Sequence, residues 1–355
     1  MKIPRIVQLE SGNYFCRLRV GGADIPITAE TEAECERIVT LMKAEHRAGK
    51  SNIKKTPKET TLKEAMDKYI QKRTGKLSPA TIRSYKIYAD TRFKDYQDEK
   101  LSKINFQTMI DEELEEDLSE KTVKNAWSLV SSSLKNIGYP VPKVQLAKVV
   151  IPDLNFLQPD EIKKFCAALK GRSYEIPCLL ALHGLRLSEI RGLDWSNVNL
   201  ETGVIFVQGA RVRGPEGDVD KKTNKNDTSS RYVPIMIPRL TEVLTAVKEK
   251  TGKVADIGSN TLLDDVKRTC KRAGITECTV HDLRRSFASL CFYLQIPMQM
   301  IKQWGGWKND EVLNKVYIKL SAIMKTESKE KFTQFFEEPK NKNGNELATA
   351  SSEAQ

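Results

Sequence analysis

Histidine is scarce in this chain: 355 residues hold three. Cysteine is more frequent, at seven, but the number is odd and the positions are scattered: Cys16, Cys35, Cys166, Cys178, Cys270, Cys278 and Cys291. None of them forms a close pair at zinc-ligand spacing, so they read as reduced, packed thiols of a cytosolic protein. With so few histidines and no compact carboxylate or His/Cys cluster, no metal site is expected. A Gly-x-x-x-x-Gly-Lys-Ser/Thr loop is also missing, which argues against nucleotide-driven chemistry, and no cofactor is expected. No apolar run approaches the length of a membrane span. The opening residues Met1-Lys2-Ile3-Pro4-Arg5 lack the apolar stretch of a signal peptide. These absences predict a cytoplasmic chain with no membrane partner. What is present is positive charge. The formal net charge of +11 favours a polyanionic partner, nucleic acid above all, through neutralisation of phosphates.

The order of patterns predicts a multidomain chain, mainly α with small β-sheets. Residues 1–50 read as three strands and a helix. A Ser11-Gly12-Asn13 turn precedes the alternating segment 14–20, and Gly21-Gly22 leads to a third strand whose Pro26 argues for a sheet edge. A helix follows over 31–46, acidic early and basic late. Arg17 and Arg19, on alternate strand positions, are candidate DNA contacts. Residues 51–59 are polar and basic and read as a linker, in which Lys54 and Lys55 could track phosphates. Residues 60–146 read as four helices. Thr61 opens the first with a capping-box-like start, and Ser78-Pro79 opens the second. Arg83 and Lys86, among the tyrosines of that second helix, are further candidate DNA contacts.

Residues 155–335 carry the chemistry, and residues 336–355 are polar without apolar period, which predicts a disordered tail. A helix over 176–183 ends in Gly184, so that Arg186 stands at the start of the next, with Glu189 one turn on, able to orient Arg186 or a histidine. Strands are predicted at 204–207 and 231–235. The long polar stretch between them reads as an extended hairpin tip carrying Lys221, Lys222 and Lys225. Helices are predicted at about 238–250, 260–273, 281–292, 296–304, 309–318 and 320–333. Within the third of these, His281 and Arg284 lie three apart and share a face, a proton acceptor or donor beside a fixed cation. Taken alone, such a pair is an ordinary surface feature. So is Tyr317, one of ten tyrosines and flanked by Val316 and Ile318.

The order of these motifs changes their weight. Gly-Leu-Arg-Leu-Ser-Glu at 184–189 is followed by a lysine-bearing hairpin that ends Ser230-Arg231-Tyr232-Val233-Pro234-Ile235. His-x-x-Arg at 281–284 comes next, then Gly305-Gly306-Trp307, with Tyr317 ten residues after the tryptophan. The whole catalytic half resembles the tyrosine recombinases, the integrases of phages and mobile elements. The two upstream modules are similar, on weaker signals, to that family's arm-type DNA-binding module and its helical, SAM-like core-binding domain.

The resemblance implies a site-specific recombinase that cuts and rejoins DNA through a 3′-phosphotyrosyl intermediate, integrating and excising a phage or mobile element. It implies Tyr317 as nucleophile, Arg186 and Arg284 as clamps on the scissile phosphate, and His281 as a proton-transfer partner. Trp307 stands where many relatives carry a second histidine, which implies a packing and single N–H donor role. The general acid falls on the hairpin: Lys225 fits the usual distance to Arg231, and Lys222 is the alternative. The partners implied are double-stranded DNA with core-type and arm-type att sites, a homotetramer on that DNA, an excision factor and a host DNA-bending protein. A bacterial cytoplasm is the implied location, with the enzyme on the nucleoid when bound. Two other readings remain open at this stage: a type IB topoisomerase-like relaxing enzyme, and a non-catalytic DNA-binding regulator on a recombinase scaffold.

Overall fold

The computed structural model describes residues 3–20, 23–47, 60–116, 118–149, 153–221 and 230–323, together with 329, 330, 332, 333 and 335. The chain divides into two compact units: Met1–Ile151 with Arg213–Val219, and Pro152–Val212 with Asp220–Gln355.

The first unit opens with β1 (Val7–Gln8), β2 (Tyr14–Val20), β3 (Ala23–Ala29) and α1 (Glu32–Arg47). The strands form one antiparallel sheet in the order β1-β2-β3. β3 is an edge, and Pro26 sits on it opposite Arg17, where its missing N–H interrupts no second neighbour. Cys16, Leu18 and Val20 alternate inward and close on Cys35 and Val39 of α1. The Sγ atoms of Cys16 and Cys35 lie 3.5 Å apart as free thiols.

Helices α2 (Leu62–Arg73), α3 (Pro79–Thr91), α4 (Phe106–Glu115) and α5 (Glu120–Ile137) surround a separate core. The Thr61 hydroxyl caps α2 by accepting the Glu64 amide. Leu62, Ala65, Met66, Tyr69 and Ile70 then form its buried stripe at helical spacing. Gly138 ends α5 in the left-handed region and donates to the carbonyls of Leu134 and Lys135.

From Pro159 the chain runs α6 (Pro159–Leu169), α7 (Glu175–Ala181), α8 (Leu187–Gly192), β4 (Val198–Asn199), β5 (Val204–Val207), β6 (Ala210–Arg213), β7 (Asp218–Lys221), β8 (Arg231–Pro234), α9 (Pro238–Ala246), α10 (Ser259–Ala273), α11 (Val280–Tyr293), α12 (Met298–Gly305) and α13 (Glu311–Ile323). β4, β5 and β8 make a small antiparallel sheet. Its inward side chains Ile205, Val207 and Val233 join a core built on α6, α7, α9 and α10. A second cluster, Phe287, Ala288, Cys291, Ile301, Leu313, Val316 and Leu320, binds α11, α12 and α13 together.

Three expectations change. The polar stretch after Val207 is not a bare tip, because it contains β6 and β7 as a two-stranded ribbon. Arg211 ties that ribbon with a two-point grip on Asp220 at 2.8 and 2.9 Å. Second, the helices expected at 309–318 and 320–333 are one, α13, as far as Ile323. Leu313, Val316 and Leu320 form a single buried stripe across the supposed break, and no glycine or proline interrupts it. Third, α9 stops at Ala246, four residues early, and the Lys250 ammonium reaches back to the carbonyls of Thr245 and Val247 at 3.2 and 2.5 Å.

Candidate functional site

The site forms where four separate segments meet in the second unit. Gly184, at φ +81°, turns the chain out of α7, and Arg186 becomes the N-cap of α8. Its extended backbone lets the amide donate to Glu189 Oε2 at 2.8 Å, while its guanidinium donates to Glu189 Oε1 at 2.6 Å. The other guanidinium nitrogen donates to the Gly306 carbonyl at 2.6 Å. Arg186 therefore holds a fixed pose with 39% of its side chain still exposed.

The N-terminus of α11 is fixed by a reciprocal cap. Asp282 donates its amide to the Thr279 hydroxyl, and the Asp282 carboxylate accepts the Thr279 amide and hydroxyl at 2.9 and 2.8 Å. Further along, the Ser286 hydroxyl accepts the amide of Leu157 at 2.8 Å and pins the helix to the start of the unit. From this frame His281 and Arg284 point the same way but sit at different depths. Arg284 is 1% exposed, whereas His281 is on the surface.

Arg284 donates to the Gly184 carbonyl at 2.7 Å and lies 3.8 Å from Glu189. Its guanidinium stands over the Trp307 ring, 4.3 Å from the centroid, and that ring lies near-parallel to Phe287. Its Nε is buried with no hydrogen-bond partner. Burial, with the charges of Arg186 and Arg231 and against that of Glu189, pushes the Arg284 pKa down to about 9. The group therefore stays charged at neutral pH.

Glu189 does more than the sequence suggested. It was expected to orient Arg186 or His281; it binds Arg186 and also Arg231, which grips both its oxygens at 3.1 and 2.9 Å. Among the described residues no hydrogen bond or ion pair links it to His281. Burial alone would raise the Glu189 carboxyl, but the Arg231 and Arg186 guanidiniums hold it below the usual carboxylate range. Three buried or half-buried guanidiniums around one carboxylate leave an excess of positive charge, with Arg186 half-exposed and the buried Arg284 Nε unpartnered. Such an arrangement binds a tetrahedral oxyanion well.

His281 stands at the rim of this cluster. Crowding of the ring by protein atoms lowers its pKa first, then the charges of Arg285, Arg284 and Arg186, against Asp282. Its imidazole is thus neutral and able to accept a proton near neutral pH. Beside it a cleft of about 270 Å³ is lined by Leu185, Leu187, Ser259, Asn260, Thr279 and Val280, among others. Tyr317, on α13, is 54% exposed; its ring meets Phe292 edge-on at 5.2 Å. Among the described residues its hydroxyl has no hydrogen-bond partner.

Lys222 and Lys225 lie outside the described residues, as do Lys54 and Lys55. In the first unit, Arg17 is exposed on β2, and Arg19 is exposed 3.9 Å from Asp24. Lys86 is exposed and Arg83 half-buried on α3. A hydroxyl- and amide-lined cleft of about 340 Å³ opens between α3 and α5, at Thr81, Ser84, Tyr85, Tyr88, Asn125 and Ser128. No site residue had been expected there except the two basic ones. Arg231 was missed as well. Its signal was phase: Arg231 and Val233 share the inward face of a strand, and an arginine in step with an apolar core position is a buried, paired charge.

Residues 155–323 match the model of the phage integrase family. A tyrosine recombinase XerC-like protein of Caldanaerobacter subterraneus subsp. tengcongensis is 26% identical over 268 residues, 61% of this chain and 67% of that protein. The integrase of Salmonella phage P22 is 25% identical over 192 residues, 49% of this chain and 46% of that integrase. Among solved structures, the Tn1549 transposon integrase in complex with transposon right-end DNA superposes with a TM-score of 0.61 at 15% identity. That match covers 76% of this chain and all of the other. The lambda integrase tetramer bound to a Holliday junction gives 0.56 at 18% identity, over 87% of this chain and 97% of the other. At these identities the structures share the fold.

Proposed function

Through residues 155–323 the chain belongs to the phage integrase family of tyrosine recombinases, and from that premise we propose that it cleaves and rejoins DNA at specific sites through a covalent Tyr317–DNA intermediate. The observation that carries this reading is the cluster of Arg186, Arg231 and Arg284 around Glu189, with neutral His281 at its rim and an exposed tyrosine on a helix packed beside it.

In the proposed step the Tyr317 oxygen attacks the scissile phosphorus. A phosphorus–tyrosine oxygen bond forms, and the bond from phosphorus to the 5′-oxygen breaks. His281 accepts the tyrosine proton, directly or through water. Arg186 and Arg284 hold the non-bridging oxygens, whose charge rises in the transition state. A proton from a lysine completes the leaving 5′-hydroxyl, with Lys225 favoured over Lys222 by its distance from Arg231. The phosphotyrosyl bond conserves the phosphodiester energy, so a 5′-hydroxyl from the partner strand reverses the step and joins two duplexes.

Two such exchanges need four active sites, and the lambda integrase tetramer on a Holliday junction supports a tetramer here. Core-type sites would be held by the helical module through Arg83, Lys86 and the α3/α5 cleft, and arm-type sites by the β1-β2-β3 face with Arg17 and Arg19. An element integrated and excised this way needs directional control, for which an excision factor and a host DNA-bending protein are the proposed partners. The proposed place of action is the bacterial cytoplasm; among the described residues no helix is long and apolar enough to cross a membrane.

The test is a nicked suicide duplex built from candidate element-end DNA. Wild type is expected to form a protein–DNA adduct stable to denaturation, and Tyr317→Phe to form none while binding the same DNA equally well. An adduct that persists in Tyr317→Phe removes the nucleophile assignment. Efficient relaxation of supercoiled plasmid lacking any element-end sequence would favour the topoisomerase reading. No adduct with any site would favour the non-catalytic one.

A further inference from the structure

Arg231 is a costly residue at the place it occupies. Its side chain is 4% exposed, and a buried charge is tolerated only when it is paired and hydrogen-bonded. A well-packed apolar residue would serve the core as well or better. Yet Arg231 is satisfied with unusual completeness. Two guanidinium nitrogens meet the two oxygens of Glu189, and Nε donates to the Trp304 carbonyl at 2.6 Å. The backbone beside it is shaped to admit it. Gly306 sits at φ +67°, and a Cβ there would stand 2.8 Å from an Arg231 nitrogen. The same Gly306 presents its carbonyl to Arg186. Gly306 thus lies between two arginines that both hold Glu189.

Charge explains the arrangement. Glu189 is the one carboxylate within 4 Å of Arg186, Arg231 and Arg284 among the described residues. Were it shared by Arg186 and Arg284 alone, its full negative charge would fall on the half-exposed Arg186 and on the buried Arg284 beside it. Arg231, itself buried, occupies both oxygens. We propose that Arg231 is a positioning residue for strand cleavage: it fixes Glu189 and offsets its charge, so that Arg186 and Arg284 keep their field for the scissile phosphate. It reaches no DNA itself. This rests on the cleavage reading above and adds to it a residue that acts through another.

The test compares wild type with Arg231→Met, Arg231→Lys and the double variant Arg231→Met/Glu189→Gln. Each is assayed in single-turnover cleavage of the suicide duplex, once with the natural scissile phosphate and once with a methylphosphonate that lacks one non-bridging charge. Arg231→Met is expected to bind DNA within about twofold of wild type and to cleave the phosphate about 100-fold more slowly, as when one transition-state donor is lost. On the methylphosphonate the deficit should shrink to less than about tenfold, because less charge then has to be held. Removing the uncompensated carboxylate in the double variant should recover part of the rate, and Arg231→Lys should fall between.

Equal deficits on the two substrates, with no recovery in the double variant, would show Arg231 to be a packing residue and overturn the proposal. So would an unchanged rate in Arg231→Met. Should Arg231→Met fail to fold, Arg231→Lys and Gly306→Ala, which crowds the same guanidinium, carry the same comparison. Absence of adduct with wild type on every candidate site would instead strike the cleavage reading, and is read before any variant.

Discussion

Two histidines in the second unit show how environment assigns chemistry to one side-chain type. His183 is fully buried. Its Nδ1–H donates to the Leu179 carbonyl at 2.8 Å, and Nε2 accepts the amides of Met236 and Ile237 at 3.0 and 3.2 Å. All its capacity is spent joining α7 to the start of α9, and burial pushes its pKa down to about 4. Because the folded value lies below the unfolded one near 6.5, the unfolded chain takes up the proton first. The stabilisation is complete above about pH 6.5 and is lost as pH falls from there towards 4, on the order of 3 kcal/mol in all. Denaturant midpoints of wild type should drop between pH 7 and pH 4.5 more steeply than those of His183→Gln; parallel slopes would refute the assignment. His281, by contrast, has an open edge and cationic neighbours, so its neutrality is available for proton transfer.

At the scale of elements, the site depends on one turn as much as on any helix. Gly184 reverses the chain at φ +81°, and its carbonyl is the anchor of Arg284. A Cβ at this position would come within 2.8 Å of the Phe287 ring and 3.3 Å of Gly305 Cα. Gly184→Ala therefore strains the backbone and overpacks the contact of α7 with α11 at once. A loss of about 2–4 kcal/mol is expected, read as a lower midpoint in chemical denaturation. Cleavage should fall further than stability predicts, since the anchor of Arg284 moves with the turn. A midpoint equal to wild type would show that the close approach relaxes freely.

For the molecule as a whole, the governing quantity is charge. With a net charge of +11 and basic residues in both units, DNA affinity should carry a strong electrostatic component. The logarithm of the association constant should fall linearly with the logarithm of salt concentration, by about 0.9 for each phosphate neutralised on duplex DNA. Tyr317→Phe should leave the slope unchanged. Arg83→Ala and Lys86→Ala, if they contact phosphates, should each lower it by about one. An unchanged slope in both would remove α3 from the DNA interface.

The amino-acid order by itself determined the elements and most of the candidate chemistry. Periodicity and caps located the sheet of the first module, helices α2 to α5, and Arg186 at a helix start, because those signals are local: Thr61, Ser119 and Gly138 act on backbone groups a few residues away. Ordered motifs picked out Arg186, His281, Arg284, Trp307 and Tyr317. Tertiary structure alone decided how the arginines share one carboxylate. The relation of Arg231 to Glu189 spans 42 residues, and that of Arg186 to Gly306 spans 120. No local rule carries information over such separations. The depth difference between His281 and Arg284 arises the same way, since helical spacing gives a shared direction and only the packing of α7 and α12 against α11 buries one and leaves the other at the rim.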